Sequence, residues 1–470
     1  MDALALTFGQ RHFDHLELGD KRRSARLPQL VDAMCKHPGG TLPQKLSEPA
    51  DLRSLYRLVN APQVTHEAVM KTHYQVTHEK IVQTVSAGHT VLIVHDATEL
   101  DYSSKTTLVP QLGQIGQGTN WGYICHNSLA IRADTKEALG LTSQILHHRA
   151  DVPKGETTKQ CRERENRESR LWVQGARQSA AESAPGMVVD VSDSLSDTFE
   201  YMAFEIGAER SFVLRARENR KLVRPINGQQ YLFDAIRTRQ SLDAWELKIP
   251  SGPGRTARTA HLRISSAPVE IHVPGKRTGD YPDEPLSLWA VRIWEPCPPR
   301  NVEPLEWILL TNVEVSTVEQ ARERGEWYKA RFVIEEYHKG MKTGCGIEDL
   351  QLTETHRLEP TIGILSVLTT TLLQLRDAAR APDADERDAS EVVDADYIEV
   401  LKMQYAKRLR GPVSVKEFYM HVARLGGHQN RKADGFPGWL TLWRGWMKLE
   451  SMTQGYRLAK RKFHKTCAQT

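Results

Sequence analysis

The chain is poor in the features that mark several large protein classes. Its six cysteines (Cys35, Cys125, Cys161, Cys297, Cys345 and Cys467) are scattered, with no C-x-x-C pair. That spacing argues against a zinc ribbon and against a disulfide scaffold. Reduced thiols in a cytosolic protein are the simplest expectation. The opening MDALALTFGQRHFDHLELG has no basic start followed by an apolar run, so no signal peptide is expected. No apolar run reaches the roughly 20 residues that span a bilayer. The most apolar stretch, Ile362 to Leu375, is broken by glycine, serine, threonine and glutamine and reads as a buried helix. Neither sign of charge dominates. A net charge of +4 over 470 residues neither demands nor excludes nucleic acid, so its distribution must decide. Internal repeats are lacking too. With 40% apolar and 26% charged residues, the composition is that of a globular chain of two to three domains.

The order of patterns divides the chain. Residues 1–70 read as helical: Leu27, Leu30, Val31 and Met34 recur at helical spacing until Pro38-Gly39-Gly40, and Leu52, Leu55, Tyr56 and Val59 recur until Asn60-Ala61-Pro62. Two short helices with a turn suit a small DNA-binding module. Lys21, Arg22, Arg23 and Arg26 follow a helix start at Gly19-Asp20, and Arg53 and Arg57 share a face; a solvated basic face is the plain alternative. Residues 71–376 read as α/β. Val91 to Val94 is a buried strand ending at His95-Asp96, strand-like runs cover Tyr123 to Ile131 and Ala138 to Leu146, and a polar helix is expected over about 157–181. Met187 to Val191 is a second buried strand ending at Ser192-Asp193. A β-rich insertion is expected at about 211–311. Helix returns through WYKARFVIEEYHKGMK and stops at Thr343-Gly344-Cys345-Gly346. The stretch Arg376 to Asp396 reads as an acidic exposed linker or weak helix. A last helical module from about Tyr397 carries Trp439, Trp443 and Trp446, candidates for dimer contact or for a local core, and a basic tail of Lys460, Arg461, Lys462 and Lys465.

Two buried strands ending in aspartate place two carboxylates at a sheet edge, where ligands bind in open α/β folds. Singly, each is more often a cap or turn residue. A third element adds weight. At about 100° per residue, Tyr328, Arg331, Glu335 and Lys342 fall within a stripe roughly 60° wide, provided the helix stays regular to Lys342. A solvated salt-bridge face is the bland reading of such a stripe. The chemical reading is that carboxylates hold Mg²⁺ while Arg and Lys grip phosphate, the equipment of phosphoryl transfer on nucleic acid.

The spacing Tyr328-x2-Arg331-x3-Glu335-x6-Lys342 resembles the Tyr-Arg-Glu-Lys signature of bacterial DDE transposases of the insertion-sequence-four family. LGDKRRSARL, LYRLVNAPQV, VLIVHDATEL, WILLTNVEVSTVEQA, RFVIEEYHKGMKTGCGIE, FYMHVARLGG and GWLTLWRGW extend the resemblance over nearly the whole chain. It implies a ribonuclease-H-like catalytic core with the β insertion, flanked by helical domains, the last (377–470) serving dimerisation. It implies metal-binding catalytic roles for Asp96, Asp193 and Glu335, with Mg²⁺ as cofactor and Mn²⁺ able to substitute. Tyr328, Arg331, Lys339 and Lys342 are implied as phosphate contacts, Trp307 as the stacking partner of a flipped base, and Arg22, Arg23, Arg26 and Arg57 as contacts to the terminal repeat. The implied activity is cut-and-paste transposition on double-stranded DNA by a homodimer in the bacterial cytoplasm. One departure stands out: Ser194-Leu195 follows Asp193 where the family usually has Arg-Glu. That keeps Asp190 as a fallback for the second carboxylate, and a catalytically inactive DNA-binding repressor as the alternative function. A stand-alone nuclease with the same core would not need the terminal modules.

Overall fold

The computed structural model describes residues 7–467 apart from 117, 150–154, 158–159, 161–163, 165, 180–186, 250–255, 276–280 and 432–433. Of the polar helix expected over about 157–181, residues 158–159, 161–163 (Cys161 among them), 165 and 180–181 lie outside the described residues. Within them that region holds a 3₁₀ turn, Glu168–Arg170, and the helix α6, Leu171–Gln178.

The N-terminal helices are α1 (Phe8–Phe13), α2 (Lys21–Lys36), α3 (Leu42–Lys45), α4 (Pro49–Val59) and α5 (His66–Ser86). Asp20 starts α2 as expected: its Oδ1 accepts the Arg22 N–H at 2.7 Å, satisfying one of the free donors of the first turn. Leu27, Leu30, Val31 and Met34 are all fully buried, so the apolar stripe of α2 faces the core. In α4, Leu55 and Val59 are buried while Tyr56 is left exposed.

Among the described residues twelve strands form one sheet. At its centre are β1 (Val91–Asp101), β3 (Asn120–Arg132), β4 (Ala138–His147), β5 (Val188–Ser192) and β6 (Ser211–Arg215). Their order is β4-β3-β1-β5-β6, with β1, β5 and β6 parallel and β3 antiparallel to both neighbours. Two boundaries differ from the sequence reading. Strand β1 does not stop at Asp96 but continues to Asp101, because its antiparallel pairing with β3 outlasts its parallel pairing with β5. Ser211–Arg215, which follows the helix α7 (Phe199–Gly207), is not part of the β insertion; it is the third parallel strand, buried on both faces. The inserted strands are β7 (Lys221–Ile226), β8 (Gln229–Tyr231), β9 (Asp243–Ile249), β10 (Arg258–Ile271) and β11 (Leu286–Trp294), with the short helix α8 (Leu232–Arg237). They rejoin the same sheet through β12 (Glu306–Thr311), which pairs antiparallel with β6.

Three helices cover one face of the sheet: α9 (Val318–Ala330), α10 (Phe332–Lys339) and α11 (Thr355–Arg380). Helix α11 is long and apolar enough to cross a membrane, yet 82% of its most apolar stretch is buried inside the protein. The stretch Arg376 to Asp396 is an exposed linker only in part: Asp383, Asp385, Glu386 and Glu391 face solvent, but other residues are anchored. Arg376 is 1% exposed and pairs with Glu336 and Asp377, while Ala379, Ala384 and Ala389 are buried in a third core. Alanine supplies little hydrophobic signal but fills tight gaps. That core joins α12 (Ala395–Gln404), α13 (Val415–Leu425) and α14 (Trp439–Cys467). Trp439 and Trp443 are 4% and 6% exposed and pack into the main core, so they are not free for a dimer contact; Trp446 is half-buried. The tail side chains Arg461, Lys462 and Lys465 lie outside the described residues.

Candidate nucleic-acid processing site

The pleat decides which aspartates meet. In β1, Leu92 and Val94 face the main core, and in β5, Val189 and Val191 do the same. With a period of two, Asp96 and Asp193 continue those two rows onto that face. The parallel register pairs His95 with Ser192, so Asp96 and Asp193 follow on the next rung, where β5 ends. Asp190 has the opposite parity. Its carboxylate is 1% exposed, accepts two hydrogen bonds from Arg210 Nη2 (2.8 and 2.6 Å), and meets His95 Nε2 at 2.6 Å. Asp190 is therefore consumed in a buried network behind the sheet and is not available at the edge.

Helix α10 brings the third carboxylate over the same face. Its buried side, Val333, Ile334 and Tyr337, sits in the main core and leaves Glu335 half-exposed. Arg331, between α9 and α10, ties the set together: Nη1 donates to Asp96 Oδ2 at 2.9 Å and Nη2 donates to Glu335 Oε1 at 2.7 Å. Asp96 and Glu335 thus lie across the width of one guanidinium. Burial pushes the Asp96 carboxyl up to about 6, against the pull of Arg331 and with the like charge of Asp193 beside it. Burial also raises Asp193, opposed by the Leu195 N–H that its Oδ1 accepts at 3.0 Å. Asp197 pins the loop after Asp193 by accepting the Arg217 and Glu218 N–H groups at 2.7 and 2.8 Å and pairing with Arg220. Among the described residues, no three His, Cys, Asp or Glu groups surround one point; Arg331 occupies the gap between Asp96 and Glu335.

The other expected residues divide. Tyr328 is buried and packs edge-on against Trp307, ring centres 5.1 Å apart at 73°. Its phenol is pushed up by burial, and it neighbours Arg331, Arg215 and Asp193. Trp307 is half-buried and walls an apolar cavity of about 190 Å³ with Trp245, Leu247, Leu262 and Ile293. Lys339 is exposed on α10. Lys342 does not share the regular stripe. Gly340–Gly344 forms a single π-helical turn, closed by the Cys345 N–H onto the Gly340 carbonyl at 2.8 Å. A Cβ on Gly340 would lie 2.8 Å from Thr369, and one on Gly344 2.5 Å from Leu372, so these glycines let the turn press on α11. Lys342 consequently reaches Glu348, at 3.3 Å, not the Asp96 cluster.

Sequence reasoning missed Arg215. It ends β6, where register places it beside Asp193, and its side chain is exposed next to Tyr328. A cation ending the buried run Ser211 to Leu214 was the available signal. In the N-terminal helices, Arg22 and Arg57 are exposed. Arg26 instead pairs with Asp51, clamping α2 to α4, and Arg23 donates to the Leu18 carbonyl at 3.2 Å and to Gln63 at 3.3 Å.

Residues 7–64 match the family model described as transposase DNA-binding. The match covers α1 to α4 and the exposed arginines on them. It supports a transposase, with DNA as partner.

Proposed function

We propose that the chain is a DNA transposase of the insertion-sequence-four type, cutting and rejoining DNA at Asp96, Asp193 and Glu335. One observation carries the reading. Three carboxylates far apart in the chain converge on one sheet edge about Arg331, downstream of a transposase DNA-binding segment. The order β4-β3-β1-β5-β6, with only β3 running against the other four, supports a ribonuclease-H-like core.

The donor chemistry suits a divalent metal such as Mg²⁺ or Mn²⁺, in the gap that Arg331 fills between Asp96 and Glu335. The donors are all carboxylate oxygens, and the raised Asp96 and Asp193 side chains are a like-charged pair that a cation would stabilise. Asp96, Asp193 and Glu335 would hold it, and it would supply the charge that activates an attacking oxygen and stabilises the leaving one. The rest is work for the chain's own side chains. Arg331 and Arg215 present forks to phosphate oxygens, Lys339 adds a point charge, Lys342 would have to leave Glu348 to add another, and Tyr328 offers a hydroxyl. Trp307, with its apolar cavity, offers a stacking wall for an extruded base. Cleavage, hairpin formation, hairpin opening and joining to target DNA are all in-line phosphoryl transfers, so one edge can serve each in turn. A homodimer would bring two ends together; its contacts lie elsewhere than Trp439 and Trp443.

The test is incubation of the protein with its flanking inverted-repeat duplex and Mg²⁺ or Mn²⁺. Cleavage and joining are expected, and Asp96→Ala, Asp193→Ala or Glu335→Ala should abolish both while leaving end binding. A protein that shifts this duplex and never nicks it is a repressor, and one that cuts without joining is a nuclease.

A further inference from the structure

Arg331 stands where the carboxylates converge. Its two terminal nitrogens are committed to different acids: Nη1 to Asp96 Oδ2 and Nη2 to Glu335 Oε1. Asp96 Oδ1 is already engaged by the Ala97 N–H at 2.9 Å, so the oxygen that Arg331 holds is the one a second cation needs. The Arg331 side chain is 20% exposed, shielded enough for its pairs to matter and open enough for a phosphate to reach the fork. Glu335 is 48% exposed and is held there by Arg331.

Building on the carboxylate assignment proposed above, we propose that Arg331 is an exchangeable gate. In the DNA-free protein it is the internal counter-ion of Asp96 and Glu335. A DNA phosphate then draws its fork away, so that a divalent cation enters between the carboxylates. The exchange is balanced for the arginine, because planar bidentate pairing to phosphate replaces pairing to carboxylate. The carboxylates trade a shared monovalent partner for a divalent one. Phosphate and metal therefore assist each other without touching, and linkage makes the assistance reciprocal. Arg331 acts here through Asp96 and Glu335, in addition to any phosphate contact it makes during the reaction.

The experiment is Mn²⁺ binding to the full-length protein, followed by electron paramagnetic resonance, with and without the flanking-repeat duplex. Asp96→Ala with duplex serves as background for Mn²⁺ held by the DNA itself. Without DNA, Arg331→Gln should bind Mn²⁺ more tightly than the unaltered protein. The expected gain is roughly 5- to 150-fold, the range of coupling between linked sites. Adding duplex should tighten Mn²⁺ binding to the unaltered protein by a similar factor and to Arg331→Gln by little. Equal or weaker binding by Arg331→Gln overturns the gate, as does an unaltered protein whose Mn²⁺ affinity ignores DNA. That second comparison needs no substitution, so it decides even if Arg331→Gln misfolds. If Asp96→Ala binds Mn²⁺ as the unaltered protein does, the carboxylate site itself fails, and the gate with it. If only Asp96→Ala loses binding, the site stands and the gate alone is wrong.

Discussion

Replacing Asp190 and Asp193 separately, each by alanine, should give opposite phenotypes although the two lie three residues apart. Asp190 accepts two hydrogen bonds from Arg210 and contacts His95, all at 2.6–2.8 Å, and is 1% exposed. Asp190→Ala strands a guanidinium whose side chain is only 11% exposed. Bonds to charged groups contribute about 1.5–3 kcal/mol each, and breaking a buried pair costs about 3–5 kcal/mol. Glu205 remains beside Arg210 at 3.2 Å and offsets part of the loss, so the lower end, about 3 kcal/mol, is expected. Asp193→Ala loses the cap on the Leu195 N–H, worth about 1 kcal/mol, and the attraction of Arg331 and Arg215, offset by the removal of a part-buried carboxylate and of its repulsion with Asp96. Its stability should stay within about 1 kcal/mol of the original, while DNA cleavage disappears. Urea unfolding followed by circular dichroism reads the first difference as a shifted midpoint, and the cleavage assay reads the second. An Asp190→Ala protein with an unshifted midpoint, or an Asp193→Ala protein destabilised as much as Asp190→Ala, would refute the assignment of the two faces.

Two titrations follow from the same geometry. Asp96, raised to about 6 by burial despite Arg331, binds its proton more tightly folded than unfolded, where a carboxyl near 3.9 is ordinary. Stability of the protein with chelator present should therefore fall as pH rises from about 4 to 6, by at most roughly 3 kcal/mol from this group. Asp96→Asn should gain stability at pH 8 and little at pH 4; an equal gain at both would contradict the burial argument. His12 and His73 form a buried pair, Nδ1 to Nδ1 at 3.0 Å, and His73 Nε2 accepts the Leu141 N–H at 3.0 Å, so His73 donates through Nδ1 and both rings are neutral. Burial lowers His12 to about 3 and His73 well below its ordinary value. Their contribution is present above about pH 6.5 and is lost as pH falls below it. Hydrogen exchange in α1 and α5 should accelerate from pH 6.5 to 5, after correction for intrinsic rates, and unchanged protection would count against the pair.

How much the sequence disclosed varied with how local the cause was. The strand runs at Val91 to Val94 and Val188 to Val191 were legible because burial on both faces demands continuous apolar residues. The helix start at Asp20 and the core stripe of α2 were legible because capping and 3.6-residue spacing are short-range. The condition set on Lys342, a helix regular that far, fails because the π turn depends on how closely Gly340 and Gly344 can approach α11, a partner remote in sequence. The anchored part of the stretch after Arg376 was misjudged because buried alanines and a paired buried arginine look like a solvated linker in composition.

Residue identity alone determined which groups exist to do chemistry: aspartates ending apolar runs, and Glu335 four residues after Arg331. Strand alternation also told Asp190 from its neighbours. Only the tertiary structure decided that Asp96 and Asp193 share a rung and that Glu335 descends on them. It also placed Arg331 between two acids, tied Arg26 to Asp51 and buried Trp439 and Trp443. The reason is that register, helix docking and ion-pair choice are set by contacts between segments hundreds of residues apart. No local pattern encodes those distances.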